Sequence, residues 1–204
     1  YDCKNWEDIR VPAHIQMEGY DRPHYANVAY PWDGRQELSS GQAPMDFNPV
    51  ASYVKYFTLP TYFSKGDIVL RMEGVESAAA IWLNGHYVGY CEDSFTPSEF
   101  DLSEYITDGE NKLAIQVAKW CSGSWLEDQD FFRFSGIFRD IYLYTKPKCH
   151  LEDIGIKQIF ENKNFNNIKL DISLRLNNSA NVKLKLYDAL DMTLKSNEFK
   201  CLFE

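Results

Sequence analysis

The chain has 204 residues, enough for one large all-β domain or two smaller ones. Its formal net charge of −9 repels phosphate backbones and anionic lipid surfaces, so we expect neither nucleic acid nor a membrane as a partner. No apolar run approaches the roughly 18 residues that a membrane-spanning helix needs.

The first stretch, residues 1–45, is irregular and dense in Pro, Gly, Asp and aromatic residues. Three X-Pro steps, which end at Pro12, Pro23 and Pro31, oppose helix and favour extended chain or turns. A loop this long is uncommon in a compact domain unless it carries a function. We therefore expect functional residues within it.

A block of short strands follows. The predicted strands are residues 53–58, 68–73, 80–83, 86–90, 112–118 and 141–144, in which apolar and polar residues tend to alternate. Asn84-Gly85 between two of them predicts a hairpin, because both residues tolerate the positive φ angles of a type I′ turn. The block predicts a sheet with one face against a core.

A second block repeats the alternation with fewer aromatic residues and more Asn and Lys. Apolar residues alternate with polar ones over residues 168–176 and 182–187, and a polar turn lies between these runs. We place a boundary near residues 146–150 and predict two domains, 1–148 and 149–204. The second block is too short for a complete sandwich, and no strong amphipathic helix of ten or more residues occurs, so the fold class is all-β, a sandwich or jelly roll.

The five cysteines show no close spacing and no zinc-type C-x-x-C pair. They favour reduced thiols in a cytoplasmic protein, with a disulfide framework as the alternative. The chain begins at Tyr1 without Met and ends soon after a strand-like run, which we interpret as a fragment of a longer protein. The four histidines are scattered without a metal-ligand pattern, and no nucleotide loop or nucleophile elbow occurs.

An acidic run at residues 127–130 is flanked by Trp125 and by the segment Phe131-Phe132-Arg133. Acids that accept hydroxyl hydrogen bonds and rings that cover C–H faces suit a carbohydrate site. Asp128 and Asp130 could share one side of an extended segment, but this spacing alone does not make the facing carboxylate pair of a glycosidase. The alternative is a surface turn whose acids cap backbone amides, with Arg133 and Arg139 in structural ion pairs.

Three segments together resemble the family 2 β-galactosidases. They are the loop of residues 19–31 (G-Y-D-R-P-H-Y-A-N-V-A-Y-P), the hairpin and following stretch of residues 74–101, and residues 123–140, which contain L-E-D-Q-D-F-F-R-F-S-G-I-F-R-D. The segments stand in the family's order and span the first block almost end to end. The second block is similar to the start of the family's immunoglobulin-like domain by position and pattern.

The resemblance implies a jelly-roll, galactose-binding-like sandwich followed by a partial immunoglobulin-like β-sandwich. In the family a (β/α)₈ barrel comes next and holds both catalytic glutamates, so no catalytic residue is expected in this chain, which alone should be inactive. By motif position, Asn27 reaches sugar hydroxyls, and Asp130 binds a galactose hydroxyl and helps to hold a sodium ion. An amide that both donates and accepts, and a hard carboxylate oxygen, suit these roles.

The resemblance also implies cofactors and partners for the full-length enzyme. They are sodium, magnesium with ligands on the barrel, a galactoside substrate, the barrel of the same chain, and other copies in a homo-oligomer. Sodium is not expected to bind tightly to this chain alone, because Asp130 and its neighbours supply too few ligands. Phe132 stands where the family often has Trp, which leaves a family 2 β-glucuronidase or β-mannosidase as alternatives. A stand-alone carbohydrate-binding module is a third possibility.

Overall fold

The computed structural model describes residues 2–63, 67–127, 130–160, 168–187, 190 and 193–201. Within these residues no α-helix forms; strands and two short 3₁₀ helices, Ile15–Glu18 and Ser122–Trp125, make up the regular structure. The chain divides into two compact units, Tyr1–Thr145 and Lys146–Glu204. No helix of the described residues has the length and apolar character needed to cross a bilayer.

The strands of the first unit form two larger sheets and two short ladders. They are β1 (His24–Ala26), β2 (Val50–Thr58), β3 (Asp67–Met72), β4 (Val75–Glu76), β5 (Ala78–Leu83), β6 (His86–Cys91), β7 (Ser98–Asp101), β8 (Glu110–Ala118), β9 (Phe131–Arg133), β10 (Gly136–Ile137) and β11 (Ile141–Lys146). One sheet has the order β2-β8-β5-β6 and the other β11-β3-β7, while β1 pairs with β9 and β10 with β4. The pairs β1–β9, β4–β10, β2–β8, β3–β7, β5–β6 and β5–β8 are all antiparallel.

The core lies between the two larger sheets. Alternate residues of β8, among them Leu113, Ile115 and Val117, are buried and pack with residues of β3 and β5 in one apolar cluster. Because side chains of a strand point alternately to its two faces, each sheet can give one face to this cluster. The predicted alternation therefore corresponds to a real sandwich core.

The hairpin prediction is confirmed. β5 and β6 pair with Leu83 opposite His86, so that Asn84 and Gly85 form a two-residue loop with φ angles of 52° and 88°. The Asn84 side chain donates to the Tyr105 carbonyl and to Asn111 Oδ1, each at 2.8 Å, and accepts from the Lys112 amide at 2.9 Å. The asparagine thus serves the turn conformation and also ties the hairpin to its neighbours.

In the described residues of the second unit, the strands form two antiparallel hairpins. β12 (Leu151–Phe160) pairs with β13 (Ile168–Leu176), and β14 (Ala180–Tyr187) pairs with β15 (Thr193–Cys201). The His150 amide donates to Asn177 Oδ1 at 2.9 Å, and the Asn177 amide donates to the His150 carbonyl at 3.3 Å, at the open end of the first hairpin. The predicted strands of this block are confirmed, whereas β12 and β15 were not predicted.

Candidate functional site

The first segment is fastened to the sandwich beside β10. The amides of Ala13 and Ile15 donate to the carbonyls of Ile137 and Ser135 at 2.8 and 2.9 Å. The buried Gln16 side chain completes this contact, because its Nε2 donates to Ser135 Oγ and its Oε1 accepts from the Ser135 amide, both at 2.9 Å. These bonds bring the loop that carries the first motif against the segment that carries the third.

A buried ion pair holds the next turn. Lys119, with only 3% of its surface exposed, donates to Asp21 Oδ2 at 2.5 Å and to the Arg22 carbonyl at 3.0 Å. Burial opposes ionisation of Asp21, but hydrogen bonds from Lys119 and Gln16 outweigh it and lower the pKa of the carboxyl group. The end of β8 therefore anchors the entry to β1.

β1 and β9 then form a three-pair antiparallel ladder. His24 lies opposite Arg133, Tyr25 opposite Phe132, and Ala26 opposite Phe131. One step beyond the last pair in the same register come the positions of Asn27 and Asp130, and both residues are exposed. The structure thus places the two site residues predicted from the motifs at one end of one ladder, although their roles stay predictions.

Tyr25 is a site residue that the sequence reasoning did not single out. Its hydroxyl donates to Asp130 Oδ1 at 2.5 Å, and this bond to the carboxylate raises the pKa of the tyrosine. The Tyr25 and Phe132 rings lie 5.4 Å apart and are 53% and 52% exposed. An oriented carboxylate beside two open ring faces can accept hydroxyl hydrogen bonds and cover C–H surface, as a sugar requires.

The acidic run serves more than one purpose. Glu127 is half-buried and accepts from Ser94 Oγ at 2.9 Å, while Arg133 donates to the Glu127 carbonyl. Burial raises the pKa of Glu127. Glu127 therefore fits the structural alternative, whereas Asp130 faces solvent. Asp128 and Gln129 lie outside the described residues, so the prediction that Asp128 and Asp130 share one side stays a prediction.

Trp125 and Arg139, which the sequence analysis also named, stabilise loops. Trp125 donates its indole N–H to the Gln42 carbonyl at 2.8 Å and packs on Tyr30 and Trp32 at centroid distances of 4.5 and 4.8 Å. Arg139 donates to the Phe95 carbonyl at 2.7 Å, a backbone contact where we expected an acidic side chain. Trp125 therefore acts as a loop anchor here, and Arg139 holds a neighbouring loop.

A buried acid lies close to this region. Glu76 of β4 is 6% exposed, and burial, followed by repulsion from Glu127, raises its pKa to about 7. His14 Nδ1 is 3.8 Å from its carboxyl group, and the imidazole stacks with the Phe134 and Phe138 rings at centroid distances of 4.7 and 5.1 Å. Burial lowers the pKa of His14. Sequence reasoning missed this pair because nothing in its spacing brings the two residues together.

Metal ligands are sparse among the described residues. They contain no group of three or more His, Cys, Asp or Glu side chains that could hold an ion. Asp130 offers hard carboxylate oxygens suited to an alkali cation, but one of them already accepts from Tyr25. Binding of sodium by Asp130 therefore stays a prediction.

A β-sandwich whose loops bring a carboxylate, an amide and open aromatic rings to one edge defines a class of carbohydrate-binding domains, in which jelly rolls are common. The sequence profile of "Glycosyl hydrolases family 2, sugar binding domain" matches residues 1–147. The chain therefore belongs to glycosyl hydrolase family 2, and its first unit is the jelly-roll sugar-binding domain of that family.

Curated relatives agree with this assignment. The chain is 48% identical over 204 residues to a β-galactosidase of Halalkalibacterium halodurans and 43% identical over 196 residues to one of Priestia megaterium, covering 98% and 93% of the chain. It spans about a fifth of the length of these relatives, 20% and 19%.

Two solved structures share the fold at lower identity. A β-glycosidase from Bacteroides vulgatus matches with a TM-score of 0.71 at 22% identity, over 98% of this chain and 25% of that one. A β-glucuronidase from an uncultured Clostridium matches with a TM-score of 0.61 at 24% identity, over 74% and 29%. Both likenesses concern the fold.

Proposed function

We propose that the chain is the non-catalytic front part of a retaining β-galactosidase that hydrolyses terminal β-D-galactosides such as lactose. Curated β-galactosidases match nearly all of the chain at 43% to 48% identity, which favours this activity over that of the β-glucuronidases, whose likeness is one of fold. Hydrolysis would proceed through a covalent glycosyl intermediate with two carboxyl groups outside this chain. The chain alone is proposed to be inactive.

The observation that carries the proposal for this chain is the register of the β1–β9 ladder, which puts Asn27 and Asp130 at one end. In the proposed site Asp130 accepts a galactose hydroxyl and Asn27 both donates to and accepts from hydroxyl groups. The Tyr25 hydroxyl, 2.5 Å from Asp130, restricts the carboxylate to one orientation. Asp130 would also be one ligand of a sodium ion, with the other ligands supplied by the barrel.

The test uses the full-length protein and nitrophenyl β-galactoside. Asp130→Ala should lower kcat/KM about a hundredfold, the scale for removing one oriented polar contact to the reacting sugar, and should abolish the stimulation by sodium. Asp108→Ala, which removes an exposed carboxylate from a turn elsewhere in the same unit, should leave both unchanged. Tyr25→Phe, which keeps the carboxylate but frees it, should cause a smaller loss.

Unchanged turnover in Asp130→Ala would make Asp130 structural. Turnover of a glucuronide or mannoside without turnover of the galactoside would move the parent to a sister activity of the family. Activity of the 204-residue chain by itself, or an affinity for small sugars sufficient for a stand-alone binding module, would contradict the proposal that this chain only supplies residues to an active site on the barrel.

The full-length enzyme is proposed to work in the cytoplasm. Cys91, Cys121 and Cys149 carry free thiols, which suits the cytoplasm. Magnesium ligands are proposed to lie on the barrel, and the intact enzyme is proposed to form a homo-oligomer. A sodium titration of the 204-residue chain should show no tight, saturable binding.

A further inference from the structure

A cleft opens in the first unit beside the start of β1. Its volume is about 590 Å³, within the range of about 300–1,000 Å³ that small-molecule sites occupy. Its lining comes from the entry to β1, the end of β8, and the irregular segment before β2. Nothing in the proposed galactosidase function uses this cleft.

The strand β1 separates the cleft from the Asp130 contact. Successive side chains of a strand point to opposite faces, so His24 and Tyr25 face opposite sides. The His24 ring lines the cleft and meets Trp120 edge-on at 6.1 Å, while Tyr25 reaches Asp130. A ligand in the cleft would therefore sit behind the ladder that presents Asn27 and Asp130.

The charge of the cleft differs from that of the chain as a whole. Of the three cationic residues in the lining, Lys119 is already paired with the lining residue Asp21, which leaves Arg22 and Arg35 against the single carboxylate of Asp46. Burial lowers the pKa of His24, and the charges of Lys119 and Arg35 lower it further, whereas that of Asp21 raises it. This local excess of positive charge occurs in a chain of net charge −9.

The apolar part of the lining includes the aromatic rings of Phe47 and Trp120. The Arg35 guanidinium lies over the Phe47 ring, 5.5 Å from its centroid. Two hydrogen bonds from the Asn48 side chain hold the Trp120 backbone: Asn48 Nδ2 donates to the Trp120 carbonyl at 2.8 Å, and the Trp120 backbone N–H donates to Asn48 Oδ1 at 2.9 Å. Ring surfaces beside charged groups suit a ligand that has both C–H faces and a charge. A planar guanidinium group pairs well with carboxylate or phosphate oxygens.

We propose that this cleft binds an acidic saccharide, a sugar that carries a carboxylate or a phosphate group. The guanidinium groups of Arg35 and Arg22 hold the acidic group, Phe47 covers part of the C–H surface, and Asp46 accepts a ring hydroxyl. The site is separate from the one proposed for the galactoside, so either can fail without the other.

The test is calorimetric titration of the 204-residue chain with four probes: galacturonate, galactose 6-phosphate, galactose and inorganic phosphate. At least one acidic sugar should bind about tenfold more tightly than both galactose and inorganic phosphate, and its affinity should fall at high salt because the contacts are partly exposed. Arg35→Gln should weaken that binding about tenfold, the effect of one charge-assisted hydrogen bond. Arg10→Gln, which removes an exposed guanidinium elsewhere in the first unit, should leave it unchanged.

The same titrations show whether the cleft prefers a carboxylate or a phosphate, because galacturonate carries only a carboxylate and galactose 6-phosphate carries only a phosphate. Equal affinity for the neutral and acidic sugars, equal affinity for inorganic phosphate, or an undiminished affinity in the Arg22→Gln/Arg35→Gln double variant would each overturn the proposal. Asp130→Ala should retain acidic-sugar binding, which keeps the result independent of the proposed galactosidase site. Unchanged tryptophan fluorescence of each variant would show that the fold is intact, since all five tryptophans lie within residues 1–145.

Discussion

The two units of the chain use the same alternation of apolar and polar residues with opposite results. In the first unit, Leu113, Ile115 and Val117 of β8 are buried against a second sheet. In the second unit, Ile172 of β13 and Leu186 of β14 belong to equally regular alternating runs, yet they remain 36% and 43% exposed. The pattern of a sequence determines which residues share a face, but only a packed partner determines whether that face is buried.

The difference also bears on where function can reside. Loops of the first unit are anchored by buried bonds such as those of Gln16 and Lys119, and the exposed groups of the candidate site are held on a ladder between them. In the second unit the described contacts are mainly those of the two hairpins themselves. A rigid sandwich under oriented loops is the arrangement on which binding sites are usually built.

The largest expected effect tests the burial difference directly. Ile81→Ala, at a position that is fully buried, should lower the free energy of unfolding of the first unit by about 4 kcal/mol, from lost burial and the cavity left behind. Ile156→Ala, the same change at a position 61% exposed, should shift stability by less than about 0.5 kcal/mol. Urea unfolding followed by far-ultraviolet circular dichroism detects the strands of both units. Equal losses in the two variants would break the comparison.

The next effect concerns the buried acid of the first unit. The pKa of Glu76 is about 7 in the folded state and about 4.5 when unfolded, so the folded state holds the proton more tightly. Its contribution to stability is complete below pH 4.5 and is lost as the pH rises towards 7, by about 3 kcal/mol in total. Glu76→Gln cannot ionise and should lose this dependence.

The measurement is the urea midpoint from tryptophan fluorescence between pH 5 and pH 8. His14, whose lowered pKa costs stability as the pH falls below about 6.5, acts in the opposite direction. Because its ring lies 3.8 Å from the Glu76 carboxyl group, the two proteins are also compared in a His14→Gln background, which removes this second titration. Glu37→Gln, at an exposed position, should follow the wild type. If the midpoints of wild type and Glu76→Gln stay parallel over the whole range, Glu76 does not titrate in this window.

The smallest effect compares one glycine from each unit. Gly85 has a φ of 88°, so Gly85→Ala should cost about 1 kcal/mol through backbone strain alone. Gly155 needs no positive φ, and an added Cβ meets only the hydroxyl of the exposed Ser173, which can rotate away. Gly155→Ala should therefore change the dichroism midpoint by less than about 0.5 kcal/mol. A larger loss for Gly155→Ala would show that the second unit is packed more tightly than its exposed strands indicate.

Much of the sandwich could be predicted because its longer strands have a local sequence pattern. Alternation identified the long strands, and Asn84-Gly85 identified the hairpin, since the φ angles of a two-residue turn depend on the residues in it. The short strands β1, β4, β9 and β10 were not predicted, because two or three residues are too few to show a periodic pattern. These strands form only by pairing with partners that are distant in the sequence. β12 was not predicted either, since Gly155 and three charged residues interrupt its apolar run.

The candidate site was accessible from the sequence in part. The motifs named Asn27 and Asp130, while nothing local indicated that Tyr25 would bond to Asp130 or that His14 would lie beside Glu76. Such contacts are set by the register of the ladders and by the folding of the first segment onto β10. The resemblance to a family identified the site residues, whereas only the tertiary structure shows which side chains contact them.

The short ladder between β1 and β9 has a consequence for how this domain can change in evolution. Tyr25 and Asp130 are 105 positions apart, and the loops and strands between them can lengthen or shorten without moving the two ladder strands relative to one another. A single-residue insertion within residues 24–26 or 131–133 would instead exchange the faces of the ladder and turn Tyr25 away from Asp130. Length variation among related proteins should therefore accumulate in the intervening hundred or so residues and stop abruptly at these two triplets.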